Sequence, residues 1–199
     1  AHMKTGDLIS LVTFGSNATL VFENLEYTAN ANTIRDAFDS LQANGSTNMI
    51  AGLNLAYELA QTLYSENEVN RVMLFSDGAA NVGNTDITNF ESLTRMGDSE
   101  GIYLSGVGVG SGYDQERMDR LTDAGKGAHV YLPSEEEADL IFGDYFSKLV
   151  EVAADQVAIE MLLPTGLRLA GFSGEEVSLD PEQRLQNIVL AAGDDMTFT

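Results

Sequence analysis

RVMLF, residues 71–75, runs directly into SDG, residues 76–78, and the reading of this stretch decides the fold. A near-continuous apolar run of this length suits a central strand of a parallel sheet, covered on both faces. Asp77-Gly78 then sets a carboxylate and a turn at the strand's carboxyl end. In open α/β sheets that rim is where ligands bind.

Working outward, the same alternation holds on both sides. Upstream, NMIAGLNLAYELAQTLYSE (48–66) spaces Met49, Leu53, Ala56, Ala60 and Leu63 as one helical face. NTIRDAFDSLQ (32–42) does so with Ile34, Ala37, Phe38 and Leu41. Before these, DLISLVTFG (7–15) reads as a buried strand and ATLVF (18–22) as its hairpin partner at the sheet edge. Downstream come a helix at 86–97, a strand at 101–110, a helix at 114–125 with Met118 and Leu121 inward, and a strand at 128–132. EEEADLIFGDYFSKLVEVA (135–153) reads as a helix with an acidic first turn, which suits its dipole. Strands alternating with helices predict an α/β fold with a mostly parallel sheet flanked by helices.

After Ala154 the period changes to strand-like runs at 156–164, 167–172 and 187–199. Residues 154–199 are therefore expected to form a β-rich segment that stops within a strand. Ala1-His2-Met3 reads as a cloning remnant, which leaves residues 4–153 as the α/β domain.

Composition excludes several classes. The 199 residues carry 31 acidic and 10 basic side chains, a formal charge of -21, shared by both parts of the chain. Nucleic-acid binding needs a basic footprint, and docking on an anionic membrane needs a polybasic patch. With no cysteine there is no thiolate nucleophile, disulfide or zinc-thiolate site. GVGVGSG (106–112) fails the dinucleotide fingerprint, so its glycines read as sites of close backbone packing. GFSGE (171–175) fails the nucleophile-elbow pattern at Glu175. His129, inside a strand, reads as a packed side chain, and a non-enzymatic role is expected.

Two residues bring hard oxygen donors to the rim, the type that Mg²⁺ prefers. Thr47 precedes the long helix, and Asp77 ends the strand. Each also has a plainer use, Thr47 as a helix N-cap and Asp77 as a turn residue.

SLVTFGSNATLVF, GSTNMIAGLNLAYELA, NRVMLFSDGAANVG and GIYLSGVGVGSGYDQERMDRLTDAGKGAHVYL resemble consecutive blocks of a von Willebrand factor A domain. The resemblance covers residues 7–153 and is nearest to bacterial extracytoplasmic proteins with a following β-rich domain. It implies a Rossmann-like fold, a protein-binding or adhesion role, and a metal-ion-dependent adhesion site (MIDAS). There a divalent cation, Mg²⁺ or Mn²⁺, bridges to an acidic side chain of the partner. Thr47 matches the family's second-loop threonine and Asp77 its third-loop aspartate. The family's Asp-x-Ser-x-Ser loop and the central strand before it are absent, so metal binding by this chain is expected to be weak or nil. The alternative is a metal-independent interaction scaffold. Either the protein was cut here, or another chain or the 156–199 segment supplies the strand. Direct pairing of 7–14 with 71–75 would rule out both supply routes. The implied location is extracellular, cell-surface or periplasmic.

Overall fold

The computed structural model describes residues 3–42, 45–78, 80–110, 112–134, 137, 138, 142, 152–157 and 188–191. Strand β1 (Leu8–Phe14) turns at Gly15–Asn17 into β2 (Ala18–Glu26), and the two pair antiparallel. Helix α1 (Tyr27–Asp39) follows at once, capped by the Glu26 carboxylate. Gly6 N–H, the Thr28 hydroxyl and Ala29 N–H all donate to that carboxylate, Gly6 contributing most, and hold its pKa down to about 2. Helix α2 (Met49–Thr62) leads to β3 (Asn70–Ser76), α3 (Ile87–Ser99), β4 (Ile102–Val109), α4 (Gln115–Ala124) and β5 (His129–Leu132). β3, β4 and β5 form a parallel sheet in that order.

Strand alternation sorts the side chains onto two faces. Val72 and Leu74 of β3, with Ile102 and Leu104 of β4, pack against Met49, Leu53 and Tyr57 of α2, Phe90 of α3, and Met118 and Leu121 of α4. Burying residues of this size stabilises by about 1.5–3 kcal/mol each. Val107 and Leu132 pack on the opposite face, with Met73 and Phe142 beside them. The glycines of β4 serve close approach, as expected. A Cβ on Gly106 would lie 2.3 Å from Met118 Sδ, and one on Gly108 would lie 2.2 Å from the Tyr113 ring.

β1 and β3 do not pair, although α2 packs against both. The Phe14 ring of β1 lies against Gly52 of α2, and Val72 and Leu74 of β3 lie in the core that α2 covers. Among the described residues no strand stands between them. Each therefore has one edge with no strand paired to it among the described residues.

Three expectations need correction. Phe38 and Leu41 were assigned to the buried face of the 32–42 helix, but they are 48% and 44% exposed. Only Ile34 of α1 is buried, because this helix lies against the edge hairpin. Leu63, placed on the apolar face of the 48–66 helix, is the C-cap of α2 and is 36% exposed. Val152 and Ala153 were placed at the end of a helix but open a strand, β6 (Val152–Val157), which pairs antiparallel with β7 (Ile188–Ala191). Most of the 135–153 helix, the strand at 167–172 and the remainder of 156–164 and 187–199 lie outside the described residues.

Candidate functional site

Three loops meet at the carboxyl ends of β1 and β3. Asn48 is the hub. Its backbone N–H donates to Gly15 O at 2.7 Å, and its Nδ2 donates to Ser16 O at 3.3 Å. Its Oδ1 accepts Ala51 N–H, so Asn48, and not Thr47, is the N-cap of α2. The Ser16 and Ser46 hydroxyls pair at 3.0 Å. Thr47 ties the second loop to the third. Its carbonyl accepts Asn81 N–H at 3.1 Å and Val82 N–H at 3.3 Å, and its own N–H donates to Asn81 Oδ1 at 2.8 Å.

This lock uses the backbone of Thr47 and leaves its hydroxyl without a hydrogen bond among the described residues. Thr47 is half-buried. Asp77 is exposed, and its carboxylate makes no hydrogen bond or ion pair among the described residues. The turn behind it is held by the Ser76 hydroxyl, which donates to Gly78 O at 2.8 Å. Neither oxygen donor makes a side-chain hydrogen bond among the described residues. Among the described residues no three His, Cys, Asp or Glu side chains cluster as a metal site.

Below the rim the protein is tightly filled. Tyr113 stacks on Tyr131 at 5.1 Å, and desolvation pushes its hydroxyl pKa up. Arg117 donates to Asp114 Oδ2 at 3.2 Å and to Thr85 O at 3.0 Å, with its guanidinium over Phe90. The crevice between these residues, Met49 and Ser76 is too narrow for a water molecule. His129 sits apart on β5, with Nδ1 3.5 Å from the Thr122 hydroxyl and 3.7 Å from Asp119 Oδ1.

The interlocking of Ser16, Ser46, Asn48 and Asn81 is not visible in the sequence reading. Polar residues cluster in each loop, but their pairing across 30 or more positions is set by the fold.

A sheet with this order, this rim and these three loops defines a class. The chain belongs to the von Willebrand factor type A domain family, whose pattern matches residues 3–144. It is 31% identical over 184 residues to the uncharacterised protein YfbK of Escherichia coli strain K12, covering 90% of this chain and 32% of that protein. It thus spans about a third of that curated relative. Its fold is similar to a von Willebrand factor type A protein from Catenulispora acidiphila, with a TM-score of 0.65, 18% identity, and coverage of 78% of this chain and 37% of the other. It is also similar to proximal thread matrix protein 1 of the mussel byssus, solved with a zinc-occupied MIDAS motif. There the TM-score is 0.56 with 24% identity, over 71% of this chain and 35% of the other.

Proposed function

We propose that this chain is a protein-interaction module whose contact is assisted by a divalent cation held in part by Thr47 and Asp77. The observation that carries the reading is the pair of uncommitted oxygen donors on one locked rim. A hydroxyl and a carboxylate are hard ligands and fit Mg²⁺ or Mn²⁺. Two donors leave most of an octahedral shell to water or to further polypeptide, so affinity in this chain is weak. When bound, the cation supplies a positive charge that accepts a partner's carboxylate. The chain's own part is to hold Thr47 through Asn81 and the turn at Asp77 through Ser76. With a net charge of -21, contact with an acidic partner is repulsive unless a cation intervenes, apart from what salt screens. Family membership supports an interaction role, and the relative YfbK of Escherichia coli supports a bacterial source; the extracytoplasmic setting belongs to this reading alone. Among the described residues no helix is long and apolar enough to cross a membrane.

The reading without metal, a plain interaction scaffold, is favoured by the small donor set. A thermal melt at constant ionic strength separates the two. Mn²⁺ at ten times its Kd stabilises the folded chain by about 1.4 kcal/mol, a rise of roughly 3–6 °C. Chelator and Asp77→Ala are each expected to abolish the rise. No shift at tens of millimolar Mn²⁺, or an equal shift in Asp77→Ala, overturns the metal-assisted reading.

A further inference from the structure

A second set of donor atoms meets on β5, two strands away from the β3 that leads to Asp77. Gly106 of β4 pairs with His129 of β5. Having no side chain, Gly106 lets α4 settle close on the sheet, since a Cβ there would lie 3.1 Å from Thr122 Cγ2. Asp119 and Thr122, three positions apart on α4, therefore reach His129 together. Nδ1 of His129 lies 3.5 Å from Thr122 Oγ1 and 3.7 Å from Asp119 Oδ1. Both gaps are at or beyond the limit of a hydrogen bond, whose usual span is about 2.7–3.2 Å. The Thr122 hydroxyl has one proton, which it directs to Met118 O at 3.0 Å and Asp119 O at 3.1 Å. It therefore turns lone pairs toward His129, as the Asp119 carboxylate does. A neutral imidazole protonated at Nε2 adds another at Nδ1. Electron-rich atoms facing one another need a positive centre between them. A proton on Nδ1 is one such centre, but at these distances it bonds neither oxygen well.

We propose that His129 and Asp119 form a zinc site separate from the rim, with Nδ1 and the carboxylate as ligands, the Thr122 hydroxyl beside the ion, and water completing the shell. Zn²⁺ takes imidazole and carboxylate at about 2.0–2.2 Å, so two ligands at the tetrahedral angle stand about 3.4 Å apart. The gaps of 3.5 and 3.7 Å around Nδ1 thus admit an ion with little movement of either element. The nitrogen donor distinguishes this place from the rim. Imidazole suits Zn²⁺, whereas Mg²⁺ and Mn²⁺ favour oxygen. Access is from the Asp119 side. The Asp119 side chain is 57% exposed and that of His129 21%, while Thr122 is buried. The net charge of -21 also raises the local concentration of cations. Two strong ligands are fewer than the three or four of most zinc sites, so the ion is exchangeable. When bound, it ties α4 to β5.

The test uses the chain with His2→Ala and Asp77→Ala, which removes the other imidazole and the rim carboxylate and makes the outcome independent of the rim reading. Zn²⁺ is titrated at neutral pH in competition with a chromophoric chelator. Imidazole ¹⁵N spectra report which nitrogen of His129 carries the proton. His129 is expected to be protonated at Nε2, with Nδ1 shifted by Zn²⁺ and not by the same concentration of Mg²⁺. His129→Gln and Asp119→Asn are each expected to weaken zinc binding at least about ten-fold, the least that losing even an outer partner of a metal ligand costs. Amide spectra check that both variants fold. Asp119 is the more exposed of the two, so Asp119→Asn carries the test if His129→Gln does not fold. Zinc affinity unchanged in Asp119→Asn overturns the proposal. So does a lack of binding up to millimolar Zn²⁺, or a proton on Nδ1 that Zn²⁺ does not displace.

Discussion

Thr47 and Asn48 stand side by side, and the fold divides their work. Asn48 caps α2 and ties it to the β1 turn, which frees the Thr47 hydroxyl from the capping role that its position suggests. Gly52, one turn further on, is where α2 meets β1. A Cβ there would lie 2.7 Å from Phe14 Cδ1 and 2.9 Å from Phe14 Cβ. The ring can rotate, but Cβ cannot move without the strand. Gly52→Ala gains up to about 1 kcal/mol of helix propensity and loses about 1–3 to overpacking. A net destabilisation of up to about 2 kcal/mol is expected in urea denaturation, whereas Ala at an ordinary helical glycine would stabilise.

At the scale of elements, the β2–α1 junction is a charge-dependent joint. The Glu26 carboxylate accepts from Gly6, Thr28 and Ala29, binding the strand end, the helix start and the chain before β1. Its folded pKa, about 2, lies below the ordinary 4.5. A depressed carboxylate adds stability above its unfolded pKa and loses it as pH falls through the folded one. Glu26's contribution is therefore complete above pH 4.5 and is lost between 4.5 and about 2. Glu26→Gln should flatten that part of the stability–pH curve. A curve of unchanged slope in the variant would show that other carboxylates carry the acid sensitivity. Glu26 is half-buried and its carboxylate is reached by solvent, so the effect is small and screened by salt.

For the whole molecule, charge and open edges oppose one another. Unpaired strand edges favour association, and a net charge of -21 opposes it. Near the pI of about 4.1 the repulsion vanishes. Light scattering at constant salt should rise steeply as pH falls toward 4 and fall again on return to pH 7. Scattering that stays flat as pH falls through 4 would mean that charge repulsion is not what keeps the chains apart.

The strand–helix alternation, a strand at 71–75 and the pairing of 7–15 with 18–22 follow from local pattern, because apolar period and turn residues act over a few positions; that 71–75 is central and covered on both faces does not hold among the described residues, where β4 is the middle strand and Phe75 is exposed. The glycines of β4 were legible as close-packing positions for the same reason. Thr47 and Asp77 were legible as oxygen donors through the family resemblance. What they do with their neighbours was not, since the Thr47–Asn81 and Asn48–Ser16 bonds join residues more than 30 positions apart. The exposure of Phe38 and Leu41 was also hidden, because helical spacing marks an apolar face without saying whether anything covers it. The amino-acid sequence by itself determined the elements from β1 to β5, their order and the family. Only the tertiary structure decided which loops lock together and that β1 and β3 stand apart, because both depend on contacts between segments distant in the chain.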